Sequence, residues 1–477
     1  MDKRTVDVAI IGAGTAGLNA RKEVEKAGKS YVLIQDGPYG TTCARVGCMP
    51  SKLLIAAAER AHDLDGAGLF GIEVDEGAWR VDGRAVMERV RRERDRFVGF
   101  VVRDSMAIEH RIEGRARFVG PTTLQVDDHT IVEAKAVVIA TGSSPWVPPP
   151  LDTIREHVIV NDDVFDWEDL PRSIAVFGTG IIGIELGQAL HRLGVRVTFF
   201  NPFDVLGPFT DPAIGAKARE VLGGELDLNL GATVHAVTPV DGGVEIRWTT
   251  AEGQERTAVF EEVLAAAGRH ANVKGLGLEA TGAHLDKRGL PGSDLRTMQV
   301  GDLPIFIAGD VAGHRPLLHE AADEGRIAGA NAARWPDVSA AVRRTPLAVA
   351  FTHPQMGMVG ARFADLAEGT FEVGEVSYDD QGRSRVMGIN SGLVRIYARR
   401  HDCRLVGAEM FGPRVEHTAH LLAWAVQQGM NVNRALNMPF YHPVVEEGIR
   451  TALRDLAAKL RVEKLCPPED CGDSAGM

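Results

Sequence analysis

The sequence predicts an α/β fold, with two Rossmann-like domains followed by a smaller α+β domain. Two glycine-rich turns, each lying between an apolar strand and a helix, predict the first two domains. After about residue 346, strands and helices continue without such a turn, and this change predicts the third domain. A chain of 477 residues has room for about three domains of ~150 residues each.

The first glycine-rich turn follows a strand predicted over residues 7–11. Gly12 permits the tight turn, Gly14 lets the backbone approach a pyrophosphate, and Gly17 packs the following helix on the strand. That helix is predicted over residues 16–25. The order of strand, turn and helix predicts a dinucleotide site.

The second turn repeats the pattern with Gly178, Gly180 and Gly183, after a strand predicted over residues 174–177. A helix and a strand over residues 195–200 follow it. Two complete turns of this kind in one chain predict that two dinucleotides bind.

Composition and charge exclude several other classes of protein. The net charge of −12, without a Lys/Arg-rich block, argues against a nucleic-acid partner. No run of about 18 apolar residues occurs, so we expect no membrane span. Five cysteines are too few for a secreted disulfide framework, and residues 1–4 lead into a strand without an apolar signal segment. These features predict a cytoplasmic protein.

Cys43 and Cys48, separated by four residues, follow the first turn. Beside a flavin, such a pair can pass two electrons to a substrate by cycling between disulfide and dithiol. The alternatives are a metal-ligand pair or two core thiols. No second ligand pair with zinc spacing lies nearby, so the pattern favours the redox pair and no metal site.

Two further strands are expected to end at a nucleotide crevice. The strands predicted over residues 136–140 and 304–308 end in Thr141-Gly142-Ser143 and in Gly309-Asp310. A carboxylate at the end of such a strand is well placed to accept a hydrogen bond from a sugar hydroxyl.

Taken in order, these motifs resemble those of the class I flavin-dependent pyridine-nucleotide disulfide oxidoreductases, in particular the dihydrolipoamide dehydrogenase branch. The resemblance extends over about residues 5–460. Besides the two glycine turns, it is carried by Cys43…Cys48-Met49-Pro50-Ser51-Lys52, Ala140-Thr141-Gly142-Ser143, Glu185, Gly268-Arg269, Ala308-Gly309-Asp310, Leu318-His319-Glu320-Ala321 and His442-Pro443-Val444-Val445-Glu446-Glu447.

The resemblance implies that FAD binds at the first turn and NAD(P)H at the second. Cys48 would then lie beside the flavin as the charge-transfer thiolate, and Cys43 would be the interchange thiol. Lys52 and Glu185 would pair near the reactive nitrogen of the flavin, and Asp310 would bind its ribityl chain. The full cofactor-binding set implied is Gly12, Gly14, Gly17, Gln35, Thr42, Lys52, Ala116, Thr141, Gly142, Ser143, Asp310, Leu318, His319, Gly178, Gly180, Ile182, Gly183, Glu185, Asn201 and Gly268.

The resemblance also implies a homodimer, because in this family a C-terminal histidine reaches into the site of the partner subunit. Here that histidine is His442, the acid–base partner of Cys43, and Glu447 would orient its ring. Imidazole suits this role since its unperturbed pKa lies near working pH.

The same resemblance divides the chain into domains. The predicted boundaries are 1–150 and 273–345 for the two parts of the FAD-binding domain, 151–272 for the NAD(P)-binding domain, 346–463 for the dimerisation domain and 464–477 for a cysteine-containing tail.

Several positions depart from the family pattern. Gln35 stands where an acid commonly binds the FAD ribose, although an amide also bonds a hydroxyl. Asn201 replaces the acid that selects NADH, and no arginine pair follows to hold a 2′-phosphate. The three glycines of the second turn favour NAD(H) over NADP(H). Arg45, between the cysteines, favours a thiolate or else points to solvent.

Two departures bear on the substrate. Phe440 and Tyr441 make the approach to the disulfide bulkier than in lipoamide enzymes. In the tail, Cys466 and Cys471 repeat the spacing of the first pair. Mercuric reductases and large thioredoxin reductases carry a C-terminal pair of relay cysteines at about this place in the chain. An acidic tail with two incidental thiols is the alternative interpretation.

The predicted reaction oxidises a dihydrolipoyl group with NAD⁺, giving a lipoyl group and NADH. The expected partner is a lipoyl-bearing protein or a small disulfide. The alternative is a reductase that relays electrons through Cys466 and Cys471 to a protein disulfide or to Hg(II)-like metal ions. A third hypothesis, a binding subunit of a larger complex, is not distinguished by the sequence.

Overall fold

A computed structural model describes residues 1–75 and 77–462 of the chain. It contains five sheets, two of them mainly parallel and surrounded by helices. The predicted fold class is confirmed. No helix among the described residues is long and apolar enough to cross a membrane.

The N-terminal part is built around a sheet of seven strands. Its elements are β1 (Asp2–Ile11), α1 (Thr15–Lys26), β2 (Tyr31–Gln35), α2 (Thr42–Val46), α3 (Cys48–Asp65), α4 (Gly83–Met106), β3 (Arg111–Glu113), β4 (Ala116–Phe118), β5 (Thr123–Val126) and β6 (Thr130–Ile139). The strands lie in the order β3-β2-β1-β6-β5-β4, with β1, β2, β3 and β6 mutually parallel. Buried aliphatic side chains cover both faces of the parallel strands, as a sheet enclosed by helices requires.

The central part has a sheet of five parallel strands and an antiparallel meander. Its elements are β7 (Ser143–Pro145), β8 (Val158–Val160), α5 (Asn161–Val164), β9 (Ser173–Phe177), α6 (Ile181–Arg192), β10 (Arg196–Asn201), α7 (Pro212–Gly223), β11 (Asp227–Leu230), β12 (Thr233–Val240), β13 (Gly243–Thr249), β14 (Glu255–Phe260), β15 (Glu262–Ala265) and β16 (Arg269–Ala271). The parallel order is β11-β10-β9-β15-β8, β12 to β14 form the meander, and β7 pairs with β16.

The chain then returns to the first sheet through β17 (Ile305–Ile307) and α8 (Leu318–Arg334). β17 pairs in parallel with the last residues of β6. Helix α8 crosses α1 closely, because a Cβ at Gly325 or Gly329 would overlap the backbone of Ala16 or Ala20. The carboxyl ends of β1, β6 and β17 therefore meet at one edge of the sheet.

The C-terminal part is an antiparallel sheet with helices packed against it. Its elements are β18 (Leu347–Ala350), β19 (Gln355–Gly360), β20 (Phe371–Ser377), α9 (Gly382–Val386), β21 (Leu393–Arg399), β22 (Leu405–Gly412), α10 (Val415–Gln427), α11 (Val432–Leu436) and α12 (Glu447–Lys459). The strand order is β18-β19-β22-β21-β20. Short 3₁₀ segments elsewhere are Ala67–Phe70, Pro149–His157, Leu278–Thr281, Asp310–Ala312 and Phe363–Asp365.

Candidate active site

The first glycine turn leaves open space at the N-terminus of α1. A Cβ on Gly12 would overlap the Ala140 carbonyl, and one on Gly17 would overlap the Gly12 carbonyl. A Cβ on Gly14, in contrast, would meet no protein atom within 4 Å. Two of the glycines therefore serve packing, and the third faces a space beside unpaired helix N–H groups, where a pyrophosphate fits.

The second turn has the same geometry at the N-terminus of α6. Side chains at Gly178 and Gly183 would overlap the carbonyls of Ala266 and Gly178, whereas Gly180 again faces open space. Ile182 lies in the first turn of α6 and is half-buried. Both turns thus fit the dinucleotide that the sequence predicts for them.

Gln35, at the end of β2, is engaged with the first turn itself. Its Oε1 accepts a hydrogen bond from the Ala13 amide at 2.6 Å, and its Nε2 donates to the Asp36 carbonyl at 2.8 Å. The second hydrogen on Nε2 leaves one donor for a ribose hydroxyl.

A polar network connects the ends of β6 and β17. The Ser143 hydroxyl donates to Asp310 at 2.7 Å, and the Arg269 guanidinium donates to the Ser143 hydroxyl and carbonyl, both at 2.8 Å. The Thr141 hydroxyl donates to the carbonyl of Asn272 at 2.8 Å. These contacts fix the Asp310 carboxylate at the edge of the sheet.

The other predicted cofactor residues lie on the surrounding turns and helix ends. Gly142 and Gly268 have positive φ angles, of 69° and 133°, and open space at the Cβ position. Thr42, Leu318 and His319 are exposed at the starts of α2 and α8, and Ala116 is buried at the start of β4.

The two predicted redox cysteines lie at the starts of consecutive helices. Cys43 is in α2 and Cys48 begins α3, with Gly47 between the helices, and both thiols are free. A hydrogen bond between the two thiols raises the pKa of Cys43 and lowers the pKa of Cys48 to about 7, where the Lys52 charge also lowers it. Of the two sulfurs, Cys48 therefore carries the thiolate near neutral pH.

Lys52 and Glu185 form an ion pair between α3 and α6. The Lys52 ammonium lies 2.7 Å from Glu185, whose side chain is only 6% exposed. The second carboxylate oxygen accepts a hydrogen bond from the Phe351 amide at 2.6 Å, and the ammonium lies 4.6 Å from the centre of the Phe351 ring. The pair thus joins α3, the helix that follows the second glycine turn, and the C-terminal part of the chain.

His442 and Glu447 form a second pair on the surface. Nδ1 of the imidazole is 3.1 Å from both carboxylate oxygens of Glu447, and the His442 side chain is 80% exposed. Burial acts to raise the pKa of Glu447, but hydrogen bonds from His442 and the Val444 amide lower it overall. The carboxylate therefore fixes the ring while the other ring nitrogen is presented outward.

Asn201, at the end of β10, is bound to its own loop. Its Nδ2 donates to the Thr179 hydroxyl at 2.6 Å and to the Val205 carbonyl at 3.1 Å, and its Oδ1 accepts from the Phe203 amide at 3.0 Å. The side chain at this position is therefore uncharged and already hydrogen-bonded within its loop.

Asn161 is a site residue that the sequence did not reveal. Its side chain donates a hydrogen bond at 3.0 Å to the Val46 carbonyl, which lies between the two cysteines. Nothing in the local pattern indicates this contact, because 115 residues separate the partners. Arg45, for which a thiol contact was one expectation, packs over Gly40.

The predicted relay cysteines, Cys466 and Cys471, lie outside the described residues. Within residues 1–75 and 77–462 no cluster of His, Cys, Asp and Glu could hold a metal ion.

Comparison with known proteins places this geometry in a family. Residues 6–325 match the family described as pyridine nucleotide-disulphide oxidoreductase, and residues 347–453 match its dimerisation domain. The chain is 29% identical to a dihydrolipoyl dehydrogenase of Halobacterium salinarum, covering 94% of this chain and 95% of that protein. It is also 29% identical to a soluble pyridine nucleotide transhydrogenase of a Marinomonas species, covering 95% and 98%.

Solved structures show the same fold. The crystal structure of LpdA from Mycobacterium tuberculosis superposes with a TM-score of 0.78 at 25% identity, covering 95% of this chain and 99% of that one. The HOCl-induced flavoprotein disulfide reductase RclA of Escherichia coli superposes with a TM-score of 0.79 at 21% identity, covering 95% and 99%.

Proposed function

Because the chain belongs to the pyridine nucleotide-disulphide oxidoreductase family, we propose that it is a dihydrolipoyl dehydrogenase-like enzyme. The family uses a flavin and a pyridine nucleotide, and the matched dimerisation domain supports a homodimer. The proposed reaction converts a dihydrolipoyl group and NAD⁺ into a lipoyl group, NADH and a proton.

The observation that carries this proposal is the placement of two free thiols, Cys43 and Cys48, at the starts of consecutive helices. In the proposed exchange, a substrate thiolate attacks the sulfur of Cys43 in the disulfide, and Cys48 leaves as a thiolate. The second substrate thiolate then attacks the substrate sulfur of the mixed disulfide and releases Cys43. The substrate loses two electrons, and the protein disulfide gains them.

The flavin, when bound, supplies the path by which these two electrons reach the nicotinamide. Cys48 suits the leaving position, because a thiol with a pKa of about 7 departs readily as a thiolate. We assign His442, oriented by Glu447, as the base for the substrate thiols and as the acid for Cys43. Since His442 is 80% exposed in the single chain, we propose that it serves the site of the partner subunit.

Lys52 and Glu185 would hold the redox helix against the flavin and the second nucleotide turn. Asp310 and its hydrogen-bonded Ser143 would hold the ribityl hydroxyls, and Gly14 and Gly180 would admit the two pyrophosphates. We propose NAD(H) as the nucleotide because the second turn carries all three glycines and no arginine pair follows Asn201.

The direct test is turnover with free lipoamide and NADH, and with dihydrolipoamide and NAD⁺. We expect Cys43→Ser to abolish both reactions and Cys403→Ser to leave them intact, since Cys403 is a buried thiol beyond β21. Failure of the wild-type protein to reduce any disulfide would refute the proposal.

A second candidate, hydride exchange between NADH and NADP⁺, is favoured by one observation. The Asn201 amide places no carboxylate against a 2′-phosphate, and relatives of this length are named soluble pyridine nucleotide transhydrogenases. This reaction needs no protein disulfide. Its retention in Cys43→Ser, together with no lipoamide turnover in the wild type, would favour it over the first proposal.

A further inference from the structure

The segment between the redox cysteines is attached to the central part of the chain by one buried side chain. Asn161 begins α5, is 6% exposed, and donates from Nδ2 to the Val46 carbonyl at 3.0 Å. The other hydrogen on Nδ2 is donated to Asp162 at 2.8 Å. Val46 ends α2, where helix carbonyls lack intrahelical partners, so Asn161 caps this carbonyl from outside.

Asn161 is held in turn by the network at the first nucleotide site. Its Oδ1 accepts a hydrogen bond from Arg269 at 3.3 Å, and Arg269 also donates to Ser143, which donates to Asp310. A continuous row of hydrogen bonds therefore runs from the proposed ribityl-binding acid to the carbonyl between the cysteines. The Nδ2 and the Oδ1 of the Asn161 amide both take part in this row of hydrogen bonds.

The chemistry of the pair requires this backbone to be positioned accurately. In a disulfide the sulfurs are about 2.05 Å apart, much closer than two sulfurs that are not bonded to each other, so oxidation moves Cys43 relative to Cys48. Their backbones are joined through Val46 and Gly47, and a Cβ on Gly47 would already lie 3.2 Å from the Cα of Cys43. Holding Val46 therefore limits the positions that the two sulfurs adopt.

We propose that Asn161 is a positioning residue that holds the backbone between Cys43 and Cys48 in the arrangement it has when both thiols are free. This inference rests on the proposed disulfide function and extends it, since it assigns a residue that sets the redox equilibrium without touching the sulfurs. Loss of a buried hydrogen bond that is made in only one of two states, here the dithiol, changes the equilibrium between them by about tenfold. Without the cap, the ratio of dithiol to disulfide should fall by about that factor, which is about 30 mV for a two-electron couple.

The experiment compares Asn161→Leu and Asn161→Ala with a matched control, Asn229→Leu. Asn229 is also 6% exposed and is also hydrogen-bonded through its side chain, to Trp248 and Asp227, but it lies in β11. Leucine fills the space of the amide and excludes water, whereas alanine leaves room and guards against a leucine variant that does not fold. Each holoenzyme is equilibrated in dithiothreitol redox buffers, and alkylated Cys43 and Cys48 are counted by mass spectrometry.

We expect Asn161→Leu to lower the dithiol-to-disulfide ratio about tenfold and Asn161→Ala at least threefold. Asn229→Leu should lower the denaturation midpoint but leave the ratio within about twofold of the wild type. An Asn161 variant that loses stability while keeping the wild-type ratio would overturn the positioning role and leave the proposed function standing. A wild-type pair that never forms a disulfide would overturn both.

Discussion

Replacement of Lys52 by methionine tests whether the ion pair with Glu185 holds helix α3 in place. The ammonium lies 2.7 Å from the carboxylate, with side-chain exposures of 31% for Lys52 and 6% for Glu185. In Lys52→Met the carboxylate keeps one donor, the Phe351 amide, but it becomes a buried charge without a counter-ion. Breaking a buried pair in this way costs about 3–5 kcal/mol of unfolding free energy.

Because the lysine is about one-third exposed, we expect a smaller loss than this, about 2–3 kcal/mol. Urea denaturation of the holoenzyme measures it, at fixed protein and FAD concentrations since dimerisation and cofactor binding both shift apparent stability. The matched control is Arg60→Met, which breaks a pair at 3.0 Å with exposures of 83% and 63%. That variant should lose no more than about 0.5 kcal/mol.

The double variant Lys52→Met/Glu185→Gln removes both charges and leaves the glutamine oxygen to accept from Phe351. We expect it to recover part of the loss, so that it is more stable than Lys52→Met. Equal losses in Lys52→Met and Arg60→Met, or a double variant no more stable than Lys52→Met, would refute this account of the ion pair.

Three further outcomes follow from the same geometry. First, in the reduced enzyme the fraction of Cys48 present as thiolate should fall from about nine-tenths at pH 8 to about one-tenth at pH 6, because its lowered pKa of about 7 lies in this window. The rate of alkylation by iodoacetamide measures this fraction, and a midpoint near that of an ordinary thiol would contradict the prediction. Second, Gly180→Ala should keep wild-type stability and raise the KM for nucleotide at least tenfold, whereas Gly183→Ala should destabilise the protein, since only a Cβ at Gly183 would overlap backbone. A wild-type KM in Gly180→Ala would contradict this prediction. Third, co-expressed Cys43→Ser and His442→Gln chains, each inactive alone, should recover about one-quarter of wild-type activity. Half of the dimers formed are mixed, and each mixed dimer contains one intact site of its two. Absence of any recovery would show that His442 does not act across the dimer.

The glycine turns allowed much of the fold to be predicted, because their requirements are local. Gly12 and Gly178 have φ angles of 108° and 115°, and each lies at the end of a buried parallel strand as predicted. Strand ends were less predictable. β1 begins at Asp2, since its exposed first residues are held by backbone pairing with β6 and not by apolar burial.

Some elements left only a weak signal. The meander of β12 to β14 was not predicted, although Val244, Ile246 and Trp248 alternate with exposed residues along β13 in the way that a half-buried strand requires. The sequence predicts the last helix over about residues 444–460. The helix begins instead at Glu447, because the Val444 amide donates to the Glu447 carboxylate in a turn before it.

For the candidate site, the sequence motifs predicted which residues would come together wherever a motif contained them. The structure pairs Cys43 with Cys48, Lys52 with Glu185, and His442 with Glu447. Asn161 could not be predicted in this way, because its partner is a backbone carbonyl in a distant helix. Every residue has a backbone carbonyl, so the sequence does not mark which one is the partner.

An anaerobic reductive titration with dithionite tests the central claim, that Cys43 and Cys48 form a redox-active disulfide. It is best made on the Cys466→Ser/Cys471→Ser variant, in which the tail contributes no thiols. Flavin and one disulfide should take up about four electrons per subunit, and Cys43→Ser in the same background should take up about two. Uptake of only about two electrons by the protein that retains Cys43 and Cys48 would contradict the account.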